Sequence, residues 1–177
     1  MRIVAGELRG RRLAAPPRRS AAVRPTADRV REALFSILGD VRGAAVLDLF
    51  CGTGALGIEA VSRGAAHTTL VDRATSLARR NVHELDLDSR CEIVRADALR
   101  YLQGARRRFD LIFCDPPYRL ADRLEGELNS LIPGRLAEGG RLITESAARR
   151  PLQLDLPLRS ERRYGDTLIR IHGKHRR

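Results

Sequence analysis

From residue 44 onward, short apolar runs alternate with helix-like segments. The runs fall at 45–50, 67–72, 91–95, 109–114 and 141–145, and the helical stretches between them at 55–63, 74–85, 97–103 and 121–132. Strands that alternate with helices form a parallel sheet covered on both faces, because each helix must carry the chain back across the sheet. The end of the chain breaks this rhythm. Residues 158–164 and 167–172 read as two strands around Gly165-Asp166, an antiparallel hairpin. The fold class is therefore α/β, with a mostly parallel sheet and a C-terminal antiparallel hairpin.

The chain has 177 residues, 43% of them hydrophobic, which suits one core of ordinary size. No apolar run approaches the roughly 18 residues of a membrane span. Met1-Arg2-Ile3-Val4 lacks the apolar region of a secretory signal, so the expected location is cytoplasmic. Cys51, Cys91 and Cys114 are too widely spaced for a zinc site and odd in number for a disulfide framework, and are expected to be small packed residues. The four histidines have no ligand spacing, and no metal is expected.

Net charge is +11 and unevenly spread. Residues 1–24 hold seven arginines against one acid, Glu7. A basic arm on a more balanced body suits a polyanionic partner. Two short extended pieces flank Gly6 and Gly10, predicting a small hairpin, and Pro16-Pro17 and Arg18-Arg19 follow in a loop. Arg9, Arg11, Arg12, Arg18 and Arg19 are the candidate RNA contacts. Arg2, Arg24, Arg29 and Arg31 stay open between RNA contact and solvent. Thr26 is a candidate N-cap for a helix in which Val30, Leu34, Ile37 and Leu38 share a face and which Gly39 ends. The expected division is a basic arm over 1–24 and one α/β domain over 25–177.

The first strand, Val46-Leu47-Asp48-Leu49-Phe50, runs into Cys51-Gly52-Thr53-Gly54-Ala55-Leu56-Gly57. Gly52 and Gly54 allow a tight turn beneath a ligand before a helix begins. The G-x-G-x-x-G pattern alone also admits a nicotinamide or flavin cofactor. Asp48 favours S-adenosylmethionine, because dinucleotide folds usually have a small apolar residue there and an acid can face the cationic methionine end. Asp72 ends the second strand, near the spacing at which an acid bonds ribose hydroxyls. Asp97 follows the third strand and could accept from the adenine amine or simply cap a helix. Phe50 and Ala98, beside these acids, complete the expected cofactor cleft together with Asp115.

The fourth strand ends in Asp115-Pro116-Pro117-Tyr118. Ligands of an open α/β sheet bind beyond the carboxyl ends of its strands, so this tetrapeptide faces the same crevice as the glycine loop. An exocyclic base amine is a poor nucleophile because its lone pair is delocalised into the ring. Asp115 can accept one amine hydrogen, and Pro116, fixed in φ, can present its carbonyl to the other. Tyr118 can stack on the base. Alignment of this kind can contribute about 7–11 kcal/mol, and no strong base is needed because the amine becomes acidic as it is methylated. By itself the motif admits guanine, adenine N6, cytosine N4 or a protein amide.

The chain resembles the RsmD-type small-subunit ribosomal RNA guanine-N2 methyltransferases of bacteria. The resemblance is carried by Arg9-Gly10-Arg11-Arg12-Leu13, by Arg24-Pro25-Thr26 with Asp28-Arg29-Val30-Arg31-Glu32-Ala33-Leu34-Phe35, by the segment from Leu47 to Gly57 with Glu59-Ala60, by Asp115-Pro116-Pro117-Tyr118, and by Tyr164-Gly165-Asp166-Thr167. Cys51 and Thr53 depart from the commoner Ala and Ser. The resemblance implies a Rossmann-like class I fold with seven strands and S-adenosyl-L-methionine as cofactor. It further implies methylation of guanine N2 in 16S rRNA, of the nucleotide 966 type, on a partly assembled small subunit. A monomer is expected. The alternatives are an amino-methyltransferase for adenine N6 or cytosine N4, and a non-catalytic RNA-binding assembly factor on the same fold.

Overall fold

Each apolar run of the central segment forms a strand, and in the inner strands the side chains alternate between two layers of helices, while the edge strand over 91–95 is only partly covered. The computed structural model describes residues 1–16, 28–117 and 119–173. Strands β1 (Ala45–Leu49), β2 (His67–Asp72), β3 (Cys91–Arg95), β4 (Phe109–Cys114) and β5 (Leu136–Ala147) run parallel. The hairpin of β6 (Leu158–Tyr164) and β7 (Thr167–Gly173) adds two antiparallel strands, with β7 against β5. The order is β3-β2-β1-β4-β5-β7-β6. Among the described residues five helices complete the fold: α1 (Asp28–Leu38), α2 (Ala55–Ser62), α3 (Ser76–Glu84), α4 (Ala98–Gly104) and α5 (Ala121–Arg135).

The layers follow from the alternation. Leu47 and Leu49 of β1, with Ile112 and Cys114 of β4, pack against Leu102 of α4 and Leu128 and Ile132 of α5. On the other face Val46, Leu111, Phe113 and Ile143 pack against α1, and Leu70 packs against Ile58, Val61, Ala78 and Val82 of α2 and α3. The chain leaves β1 toward β2 and later returns to β1's other side as β4. That reversal opens a crevice beyond the carboxyl ends of β1 and β4, where ligands of such sheets bind.

Two boundaries differ from expectation. Helix α5 continues through Pro133 to Arg135 rather than ending at 132, and the Arg135 guanidinium donates to the Leu102 carbonyl at 2.9 Å. Strand β5 begins at Leu136 rather than near 141, with a register shift against Phe109–Leu111. Gly139 takes a positive φ of 69° in this irregular start. An apolar run marks the regular part of a strand and misses such an entry.

The face of α1 is also rotated from the expected one. Arg31, Leu34, Phe35 and Leu38 are buried, whereas Ile37 is 38% exposed. Phe35 takes the inward position, 5.8 Å from the Phe113 ring. Gly39 ends the helix with φ 67° and donates to the Phe35 carbonyl. Arg31, left open between RNA and solvent, does neither. It is fully buried, pairs with Asp28 and with the equally buried Glu59, and reaches the Arg2 carbonyl. Thr26 and Arg24 lie outside the described residues.

The N-terminus forms the expected hairpin. Ile3 donates to the Arg11 carbonyl, Gly10 to that of Ile3 and Leu13 to that of Met1. Ile3 and Leu13 are buried in the same cluster as α2 and α3, and burying such a side chain stabilises by roughly 1.5–3 kcal/mol. Glu59 of α2 holds the hairpin from below, accepting the Val4 and Ala5 amides at 2.8 and 3.0 Å and the Arg63 guanidinium at 2.9 Å. Among the described residues no helix is long and apolar enough to cross a membrane.

Candidate active site

The loop after β1 is built by left-handed backbone. Phe50, Gly52 and Gly54 have φ of 59°, 54° and 77°. Cys51 donates to the Val71 carbonyl and Gly54 to the Cys51 carbonyl, so the turn is pinned to β2 and closes on itself. A Cβ at Gly52 would meet nothing within 4 Å, so its backbone borders open space. Gly57 serves another purpose. A Cβ there would meet Leu70 and Thr68 at 2.5 Å, so glycine lets α2 lie directly on β2. The amide of Gly57 donates to Asp48 at 2.9 Å, which ties the helix to β1.

The three expected cofactor acids surround this loop. Asp48 is buried, and its carboxyl is pushed up to about 7, first by burial and then by the nearby Asp72, against the lowering effect of the Gly57 amide. Asp72 accepts the Gly52 amide at 2.9 Å with one oxygen and the Ala74 amide at 3.0 Å with the other. Asp97 caps α4, with one oxygen on the Leu99 and Arg100 amides and the other on the exposed Arg73 guanidinium. Those three donors hold its carboxyl below the ordinary value despite some desolvation. Ala98 is buried as the first residue of α4.

Strand β4 delivers Asp115 to the same crevice. Leu49 pairs with Cys114, so the glycine loop and Asp115-Pro116 leave adjacent strands at one level. Asp115 keeps part of its surface accessible and Pro116 is buried. Burial raises the Asp115 carboxyl well above its usual range, with further contributions from Glu145 and Asp48. Tyr118, the expected base support, lies outside the described residues. Cys51 and Cys114 are packed beside these acids, and burial pushes both thiols up, away from reactivity.

Sequence reading missed two buried polar residues around the crevice. Asn81 of α3 donates to the Thr53 carbonyl of the glycine loop at 2.9 Å and to the Ala14 carbonyl at 3.1 Å, while accepting the Ala14 amide at 2.7 Å. It thereby ties the arm to the loop. Its contacts are remote in sequence, and no local pattern marks it. Glu145, two residues before the end of β5, is 8% exposed. The sequence shows only its position at the close of the apolar run over 141–145; its place beside Asp115 comes from the strand pairing.

Three of the expected RNA arginines fall among the described residues. Arg9, Arg11 and Arg12 are exposed on the hairpin, whose Glu7 amide donates to the carbonyl of Ser62, the last residue of α2. That end of α2 lies at the opposite end of the sheet from the glycine loop. Arg11 also donates to the Glu84 carbonyl at the end of α3, at 3.0 Å. Arg18 and Arg19 lie outside the described residues.

A cation fits the crevice. Burial raises the Asp48 and Asp115 carboxyls, a nearby positive charge would favour their ionised form, and the open backbone at Gly52 leaves room for a ligand. The sheet order, the glycine loop and the acids at the strand ends define a Rossmann-like fold of the class I methyltransferase type. The family described as Conserved hypothetical protein 95 matches residues 1–173, and the chain belongs to it. YlbH of Bacillus subtilis, named as a candidate rRNA methyltransferase, is 36% identical over 191 residues, spanning 98% of this chain and 99% of its own. Ribosomal RNA small subunit methyltransferase D of Escherichia coli is 37% identical over 150 residues, spanning 82% and 74%. The solved structure of yhhF from Escherichia coli, a candidate methyltransferase, superposes with a TM-score of 0.82 at 31% identity, covering 100% of this chain and 99% of that one.

Proposed function

We propose that this chain transfers a methyl group from S-adenosyl-L-methionine to the exocyclic N2 amine of a guanine in 16S rRNA, a target of the nucleotide 966 type, on a partly assembled small subunit. The observation that carries the reading is the exit of the glycine loop and of Asp115-Pro116 from paired strands into one crevice. Support for an rRNA substrate comes from the relatives' names and from the basic arm over 1–24. Acting on ribosomal RNA, the protein works in the cytoplasm, as a monomer with the arm as its RNA-binding extension to the domain over 25–177.

The residues divide the work. Asp48 and Phe50 border the methionine end, and Gly52 and Gly54 let the backbone approach the cofactor. Asp72 exchanges its Gly52 contact for ribose hydroxyls. Asp97 and Ala98 border the adenine, with the exposed Arg73 as the partner that yields. When bound, the cofactor supplies an electrophilic sulfonium methyl. Asp115 accepts one amine hydrogen and the Pro116 carbonyl the other, which turns the amine lone pair toward the methyl. Tyr118 stacks on the base. A carboxylate must be ionised to accept, and a positive charge beside Asp115 draws its raised pKa back down. Arg9, Arg11, Arg12, Arg18 and Arg19 contact phosphates outside the crevice.

Purified Asp115→Ala should lose methyl transfer to small-subunit RNA while cofactor binding, read by calorimetry, survives. Transfer at the wild-type rate would remove Asp115 from its assigned role.

A further inference from the structure

Glu145 has no part in the cofactor reading, yet it is a carboxylate buried at the carboxyl end of β5. The β4–β5 register pairs Cys114 with Thr144, so Asp115, just past the end of β4, comes beside Glu145, which is still held in β5 opposite Ile169 of β7. Strand alternation puts both on the face of Phe113 and Ile143, the face that also carries Asp48 on β1. The two carboxyls are close enough that Glu145 is the foremost charge raising Asp115. Neighbouring strands stand about 4.8 Å apart, so the crevice presents two oxygen acceptors in a row.

That arrangement matches one base edge. On guanine, the N2 amine adjoins a second donor, N1–H. On adenine the amine adjoins the lone pair of N1, and on cytosine the lone pair of N3. We propose that Glu145 selects guanine by accepting its N1–H while Asp115 accepts a hydrogen of N2. A carboxylate facing a ring lone pair leaves two acceptors opposed and both desolvated, which disfavours the other bases. The inference rests on the proposed guanine methylation and adds the residue that chooses the base. Glu145 also has interactions within its own fold, so selection must be separated from folding.

The experiment uses small subunits assembled on 16S rRNA ligated to carry guanine or 2-aminopurine at the methylated position. Both bases have the 2-amine, but 2-aminopurine has a lone pair at N1. Wild-type protein should prefer guanine by roughly tenfold to a hundredfold in kcat/KM, the range of one hydrogen bond to a charged group. Glu145→Gln, whose amide can donate, should lower the guanine rate and narrow that preference, with cofactor affinity and melting temperature unchanged. Equal wild-type rates on the two bases would overturn the inference without the variant. So would a Glu145→Gln protein that loses both rates in proportion. Absence of transfer to the guanine subunit by wild type would instead strike the proposed function itself.

Discussion

Asp48 carries the strongest consequence of a single residue. Its folded pKa of about 7 lies above the ordinary 3.8, so the fold favours its protonated form. The stability this contributes is fully present below the unfolded pKa and is lost as pH rises through the folded one. The cofactor-free protein should therefore become less stable to urea between about pH 4 and pH 8, by at most about 4 kcal/mol. Asp48→Asn should flatten that slope, and a slope unchanged in the variant would assign it to another group. Two glycines of the same loop should separate folding from binding. Gly57→Ala should destabilise by roughly 1–3 kcal/mol, because its methyl meets β2 side chains. Gly52→Ala has open space but a left-handed φ of 54°, so it should cost roughly 1–2 kcal/mol of stability and, beyond that, a clear loss of cofactor affinity measured by calorimetry, which Gly57→Ala should not show. Unchanged cofactor affinity in Gly52→Ala would mean that the Gly52 backbone is only a turn.

At the scale of elements, the hairpin over residues 1–13 and the crevice strands differ in how far they could be read. Strands β1 to β4 lie within a residue of their apolar runs, because burial on two faces leaves a continuous apolar signature. The placing of the candidate residues was legible for the same reason, since Gly52, Gly54, Asp72 and Asp115 stand at or just past strand ends that the runs define. Arg31, Asn81 and Glu145 were not legible. Their roles come from partners brought near by topology, such as Glu59 receiving amides 55 and 54 residues away. Ile37 misled because helical spacing marks two adjacent faces of α1, and Phe35 and Arg31 decide between them. The hairpin's own prediction concerns RNA. Arg9→Gln with Arg12→Gln should weaken RNA binding and reduce its salt slope by about two, leaving melting temperature and cofactor affinity intact. Loss of stability in step with RNA affinity would make these side chains structural.

For the whole molecule, the parallel half of the sheet carries the glycine loop and the candidate amine site, while exposed basic residues among those described lie on its margins. The hairpin supplies one such margin. The edge strand β6, with exposed Arg159, Arg162 and Arg163, supplies another. Among the described residues, exposed arginines on these margins flank a crevice of buried carboxylates, so a polyanion meets positive charge at the surface while the centre suits a cation and amine hydrogens. The central claim, guanine N2 in small-subunit RNA, is tested most directly by mapping methyl groups on 16S rRNA from cells with and without the gene. The account predicts loss of one N2-methylguanosine, restored by the wild-type gene and not by Asp115→Ala. Loss of a methylated adenine or cytosine with every methylguanosine unchanged would contradict it.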